Sequence, residues 1–313
     1  MRLIRWTALL VAFLLALYVV GWFLVANVAG QQVDRVIERL ARAGIDVETT
    51  EQGFEGLTDL GFRFQLTDAT YASETYGASV STPGKTQAGV NLLDPNTLSL
   101  NVPAGSQIQS PLILGELGEV NAQVSATFDR EVEAVAISMD TMTLTALGGL
   151  VAMSGDGFDL SYQADGRFSA TANLDVVQVV EFMKELIDKR LPQSLVLPEE
   201  PVALVFSGQL YPAGLRLGTG DVGAWFGNGG YLVIDRLNMP FHEKLLTPHK
   251  GLMFSDKAGV MRSILCPLQC EQGDCGPTMV LRNQSVVDAS VVATLTLPSR
   301  YQGLAADALC EAL

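Results

Sequence analysis

"FDLSYQADGRFSATANL", residues 158–174, carries a fold in its alternation. Phe158, Leu160 and Tyr162 fall on one side of an extended chain, Asp165-Gly166 supplies a turn, and Phe168, Ala170 and Ala172 resume beyond it. A period of two interrupted by Asp-Gly predicts a β-hairpin. Half-buried alternation of this kind predicts antiparallel sheet with one apolar face.

The same period extends outward along the chain. Phe62, Phe64 and Leu66 alternate with Arg63, Gln65 and Thr67, and Leu98, Leu100 and Val102 do likewise. Val120, Ala122, Val124, Ala126 and Phe128 alternate with Asn121, Gln123, Ser125 and Thr127. Further strands are expected at Val202–Leu210, Tyr231–Ile234, Met279–Leu281 and Val291–Leu297, with a short helix over 303–313. One helix is expected to interrupt them at 175–191. Val176, Val179, Val180, Met183, Leu186 and Ile187 form its single stripe, Asn173 its N-cap and Pro192 its end. The Pro-bearing connector "LPQSLVLPEEP" then separates two β-rich halves, 45–192 and 201–313. The expected class is mainly β (α+β): a large antiparallel, curved sheet preceded by two helices.

The first of those helices is the leader. After Arg2 and Arg5 no charge occurs until Asp34, and from Thr7 to Ala26 nearly every residue is apolar. About twenty such residues span a bilayer core of ~30 Å, whereas a cleaved signal has an apolar region of only about 7–15. The expectation is a transmembrane anchor at 7–27, with Trp6, Leu9, Phe13, Leu17, Trp22 and Phe23 as its membrane-contacting residues. The 1–6 tail is cytoplasmic by the positive-inside rule, and the rest is exported across a bacterial inner membrane into the periplasm. An amphipathic helix follows at 28–44: Val33, Val36, Ile37 and Leu40 recur at helical spacing, and Gly44 caps it.

Beyond the anchor stand all 34 acidic residues but only 18 of the 20 basic ones. That balance opposes binding to nucleic acid, which relies on Lys and Arg neutralising phosphate. Four cysteines, Cys266, Cys270, Cys275 and Cys310, are even in number and lie on the oxidising side. They read as two disulfides in one of three pairings. The short Cys266–Cys275 loop favours a bridge within the cluster, while Cys310 ties the terminal helix back to it. The C-x3-C-x4-C spacing fits neither a zinc site nor a redox C-x-x-C.

"GTGDVG", 218–223, matches the dinucleotide pattern in letters, but no helix can open after it, so no nucleotide is expected. "HEKLLTPH", 242–249, has Leu246 where a zincin needs histidine, and Pro248 breaks the helix. No catalytic, metal or cofactor residue is assigned. Asp156, Asp159, Glu199 and Glu200 read first as solvated loop carboxylates, although paired acids remain the basis of an alternative, an envelope hydrolase. A scaffold subunit of a membrane complex is the other alternative.

The order of anchor, amphipathic helix, "AGIDVE" and then "GFRFQLTDATYAS" resembles the start of AsmA-type envelope proteins. Over residues 7–80 it resembles more closely an alphaproteobacterial family known as domain of unknown function 2125. Gly61-Phe62-Arg63-Phe64 and Thr67-Asp68 stand for that family's Gly-Phe…Arg-Phe segment and following Thr-Asp, with a different residue count. The resemblance implies a part in envelope maintenance, with a curved sheet sheltering lipid chains. The expected function is thus non-catalytic, with lipid or another envelope protein as partner of an apolar sheet face.

Overall fold

The structure, a computed structural model, describes residues 18–23, 26–27, 30–31, 34–35, 37–42, 44–57, 61–73, 75, 77–91, 93–127, 131–179, 200–212, 226, 228–239, 243–256, 259–269, 276–283 and 285–313. These fall into two compact units, Met1–Asn121 and Ala122–Leu313. Both are antiparallel β-structures.

In the first unit two long strands, β3 (Gly61–Ser73) and β4 (Ala78–Asn91), form the centre. β1 (Ile45–Glu48) and β2 (Glu51–Glu55) share the outer edge of β3. β5 (Asp94–Val102) and β6 (Ser106–Gln109) share the outer edge of β4, and β7 (Ile113–Leu117) pairs with β6. Gly89 makes the central pairing possible, because a Cβ there would run into the Phe62 carbonyl and the Arg63 backbone. β8 (Val120–Ala126) starts at the end of this unit, and its burial alternates as its sequence does.

The second unit is a meander of sequential antiparallel neighbours. It runs through β9 (Val132–Ala146), β10 (Val151–Gln163), β11 (Arg167–Val179), β12 (Val202–Tyr211) and β13 (Tyr231–Asn238). β14 (His249–Ser255), β15 (Met261–Pro267), β16 (Met279–Arg282) and β17 (Ser285–Val287) complete it. The expected hairpin is β10–β11, with Tyr162 opposite Phe168 and Leu160 opposite Ala170. Its turn closes with Gly166 N donating to the Gln163 carbonyl, and Gly166 has φ +90°, a conformation glycine adopts without penalty. β11 and β12, which flank the connector expected to divide two halves, pair side by side in this unit.

Two helical or strand assignments need correction. The helix expected from 175 is strand as far as Val179, because β11 continues its ladder on β10 to the pair Val179–Val151. Val177 and Val179 stand at the two-residue spacing of a strand, and β-branched residues favour the pleated form. Residues 180–199 lie outside those described. The strand expected over Val291–Leu297 is instead a 3-10 helix, Ala289–Thr294. Asp288 caps it by accepting from Ser290 N, and the Thr294 hydroxyl donates to the Val291 carbonyl.

The leader expected to span the membrane falls largely outside the described residues, Trp6, Leu9, Phe13 and Leu17 among them. Residues 18–23 and 26–27 are helical. No helix among the described residues is long and apolar enough to cross a membrane. In the second expected helix, the described positions 37–42 are helical, with Ile37 and Leu40 half-buried and Glu38, Arg39 and Arg42 exposed. Gly44 ends it at φ +78° and donates to the Ala41 carbonyl, the cap its sequence predicts.

Candidate functional site

Cross-strand partners share a face, so register identifies each surface. In the first unit Phe54 lies opposite Phe64, Phe64 opposite Ala88, and Ala88 opposite Leu100. One row away Phe62 lies opposite Val90, and Val90 opposite Leu98. These residues make a continuous apolar face across four strands. Its rings are packed: Phe54 stacks on Phe62 at 4.9 Å between centroids and tilts against Phe64 at 5.3 Å.

The leader helix covers one side of this face. Trp22 meets Phe62 edge-on at 5.9 Å, and its indole N–H donates to the Gly61 carbonyl at 3.1 Å. The Tyr18 hydroxyl donates to the Leu57 carbonyl at 3.0 Å. At Gly30 an added Cβ would stand 3.5 Å from the Phe54 ring. Leu98 and Leu100, on the other side, remain 50% and 38% exposed. The apolar face is therefore packed at its phenylalanines and open at its leucines.

Its reverse face is polar. Lys85 Nζ stands 2.7 Å from Glu55 Oε1, Gln87 donates to Glu55 Oε2, and Asn101 donates to Glu119 and Asn121. The Lys85 hydrogen bond holds the Glu55 carboxyl below its ordinary range. The pair is exposed and screened by solvent, so it adds little to stability.

In the second unit a second apolar row runs Ile137, Leu160, Ala170, Phe206 by register. Phe168 packs edge-on against Phe206 at 5.0 Å. From there the row enters a buried cluster of Leu232, Ile234, Leu265 and Met279. In the other direction it opens, and Ile137 and Leu160 are exposed. On the far side of β13–β16, Val233, Leu252, Phe254, Ile264 and Val280 are covered by Val292, Leu297, Tyr301 and Leu309. Here lies the disulfide Cys266–Cys310, both residues fully buried. It is one of the three possible pairings, and it ties the terminal helix Ala306–Ala312 to β15 as expected. Cys270 and Cys275 lie outside the described residues.

The remaining sequence candidates are dispersed. Asp156 accepts a hydrogen bond from Asn173 on the next strand, and Asp159 is exposed. Glu200 is exposed, and Glu199 and the 218–223 glycine motif lie outside the described residues. Of the histidine stretch, Glu243–Leu245 is one 3-10 turn and His249 begins β14. His249 is buried, with Nδ1 2.6 Å from the Thr247 carbonyl. Burial lowers its pKa and the Thr247 carbonyl opposes that shift. A polar notch on β10–β13, lined by Ser161, Gln163, Arg167, Ser169 and Asp235, contains no such buried group, and Arg167 is engaged by Asp165. Among the described residues no three His, Cys, Asp or Glu side chains gather to hold a metal.

Phe54 and Tyr18, both part of the apolar site, were not singled out from sequence. The signal for Phe54 was weak, since β2 reads "EQGFE", with one apolar residue in five. Comparison with curated proteins and with solved structures returns no match. The family profile described as "Uncharacterized protein conserved in bacteria (DUF2125)" matches residues 22–243, which include the whole first-unit apolar face and stop short of the disulfide. The chain belongs to this bacterial family.

Proposed function

We propose that the chain is a single-pass inner-membrane protein whose periplasmic part is non-catalytic and holds apolar chains, acyl chains of lipid above all, on its open sheet face. The observation that carries this reading is the exposure of Leu98 and Leu100 beside the packed Phe54–Phe62–Phe64 rings. Contiguous apolar surface left open on a folded protein marks a site of association. The apolar leader supports the source of the ligand, because a sheet tethered through it stands next to a reservoir of lipid. Likeness to AsmA-type envelope proteins in the leader and first strands points the same way.

A long apolar ligand would lie along Leu98 and Leu100 and abut the Trp22-covered rings, removing both leucines from water. Each leucine is already half-buried, so removing its remainder from water contributes roughly 0.5–1.5 kcal/mol. The test is transfer of a fluorescent phospholipid from donor vesicles to the full chain in lipid-free amphipathic polymer. The reading expects saturable transfer, abolished in Leu98→Glu/Leu100→Glu. Equal transfer to both proteins would overturn it.

A further inference from the structure

We infer that the leader helix is a displaceable cover of the lipid site. Docked, it closes the phenylalanine rings; seated in the bilayer, it opens them to an acyl chain. The inference rests on the lipid-holding reading given above and adds the regulation of that site.

Tyr18, Trp22, Ala26 and Gly30 recur every fourth residue, which places them along one side of a helix. Tyr18 and Trp22 donate to the Leu57 and Gly61 carbonyls, and Trp22 lies edge-on to Phe62. Ala26 is buried, and a Cβ at Gly30 would already touch the Phe54 ring at 3.5 Å. Small residues thus let this side come down on the rings.

The other side is apolar as well but faces outward. Val20 and Phe23 are 57% and 58% exposed, and Val19 is exposed beside them. A helix apolar all round belongs inside a core or a bilayer. The sheet shields one side of these turns, whereas hydrocarbon would shield both. The same turns belong to the expected span 7–27, so a fully seated span takes Trp22 off Phe62. Sheet and bilayer therefore compete for one helix, and access to the rings follows the outcome.

The rings are ready for an occupant once the helix leaves. Phe54 stacks on Phe62 at 4.9 Å and tilts against Phe64 at 5.3 Å without help from the leader. Register continues them through Val90 and Ala88 to Leu98 and Leu100. An acyl chain that starts on the open leucines would then extend over the rings. While the helix is docked, the ligand must displace it, and apparent affinity falls with the fraction of open chain.

The test places the photoreactive residue p-benzoylphenylalanine at position 62 of the full chain in amphipathic polymer, and irradiates it as phosphatidylcholine is titrated in. Mass spectrometry is expected to find an adduct to the peptide containing Trp22 at low lipid, giving way to a phospholipid adduct as lipid rises. In Trp22→Ala, with Phe62 restored, uptake of a fluorescent phospholipid should reach its midpoint at roughly 2- to 10-fold less lipid, the range set by losing one aromatic pair. A leader adduct that persists while uptake saturates, or none at any lipid level, overturns the cover and leaves the lipid site standing. So does uptake unchanged or weakened in Trp22→Ala. No uptake by either protein overturns the lipid site and the cover with it.

Discussion

β13–β16 and β9–β10 belong to one meander, but their sequences differ: "YLVI", "GLMF", "ILC" and "MVL" are unbroken apolar runs, whereas β9 and β10 intersperse apolar residues with polar ones. At β13–β16 both faces are buried: Ile234 and Leu265 pack on one side, Leu252 and Ile264 on the other. At β9–β10 the row ends in exposed Ile137 and Leu160. The unbroken runs supply apolar side chains to both faces of β13–β16, and the second face is closed by a cover: the 3-10 helix 289–294, Leu297, Tyr301 and the terminal helix, stapled by Cys266–Cys310. The first unit repeats the contrast on a smaller scale, with the leader helix over Phe54 and Phe62 and nothing described over Leu98. An apolar sheet face becomes core only where a later or earlier segment returns to it.

The largest test of that contrast is removal of the staple. Cys266→Ser/Cys310→Ser opens a closure of 44 positions, and loop-entropy arguments put the loss at about 4 kcal/mol. Denaturant unfolding followed by circular dichroism should show it, and limited proteolysis should release the C-terminal segment first. If the variant unfolds like the parent, the cover is held by packing alone.

Next come paired truncations. Ile264→Ala or Leu309→Ala, each fully buried, should cost about 2–5 kcal/mol. Leu98→Ala and Leu160→Ala should each shift stability by less than about 0.5 kcal/mol, and Leu98→Ala should weaken lipid transfer. Equal losses at the buried and exposed positions, read from the same denaturation curves, would erase the distinction between core and open face.

A third test uses pH. Burial lowers the pKa of His249 in the folded chain, the Thr247 carbonyl partly opposing. Below the ordinary histidine pKa of about 6.5 the unfolded chain takes up a proton that the folded one resists. Stability contributed by this group is thus whole above that pH and falls as pH falls through it, by at most about 1.4 kcal/mol per pH unit. His249→Gln should flatten this part of the stability profile. Smallest of all, Lys85→Met should shift the denaturation midpoint least of these variants, and less still in high salt, because the Glu55 pair is exposed.

The elements most legible in the sequence were those set by short-range chemistry. Asp165-Gly166 and its flanking alternation yield the β10–β11 hairpin, and Gly44 ends its helix. Segments with two compatible periods were less so. Val176 and Val179 fit both a helical stripe and a strand, and the neighbouring β10 selects the strand. The run after Asp288 has strand-forming valines, but its cap and Pro298 redirect it. That Cys310 ties back to the cysteine cluster is legible in the sequence; which of the three cysteines it takes is not, because all three lie within ten residues. The open face itself was legible only by half: alternation reveals that a strand has an apolar side, and the tertiary structure alone reveals what covers it.

The most direct measurement of the central claim is the lipid that travels with the protein. Full-length chain would be taken from bacterial membranes, exchanged into amphipathic polymer, washed free of bulk lipid, and extracted for mass spectrometry. The account predicts a defined glycerolipid retained by the parent and lost from Leu98→Glu/Leu100→Glu, with the variant's unfolding curve unchanged. Parent protein free of lipid, or lipid retained equally by both, would contradict it.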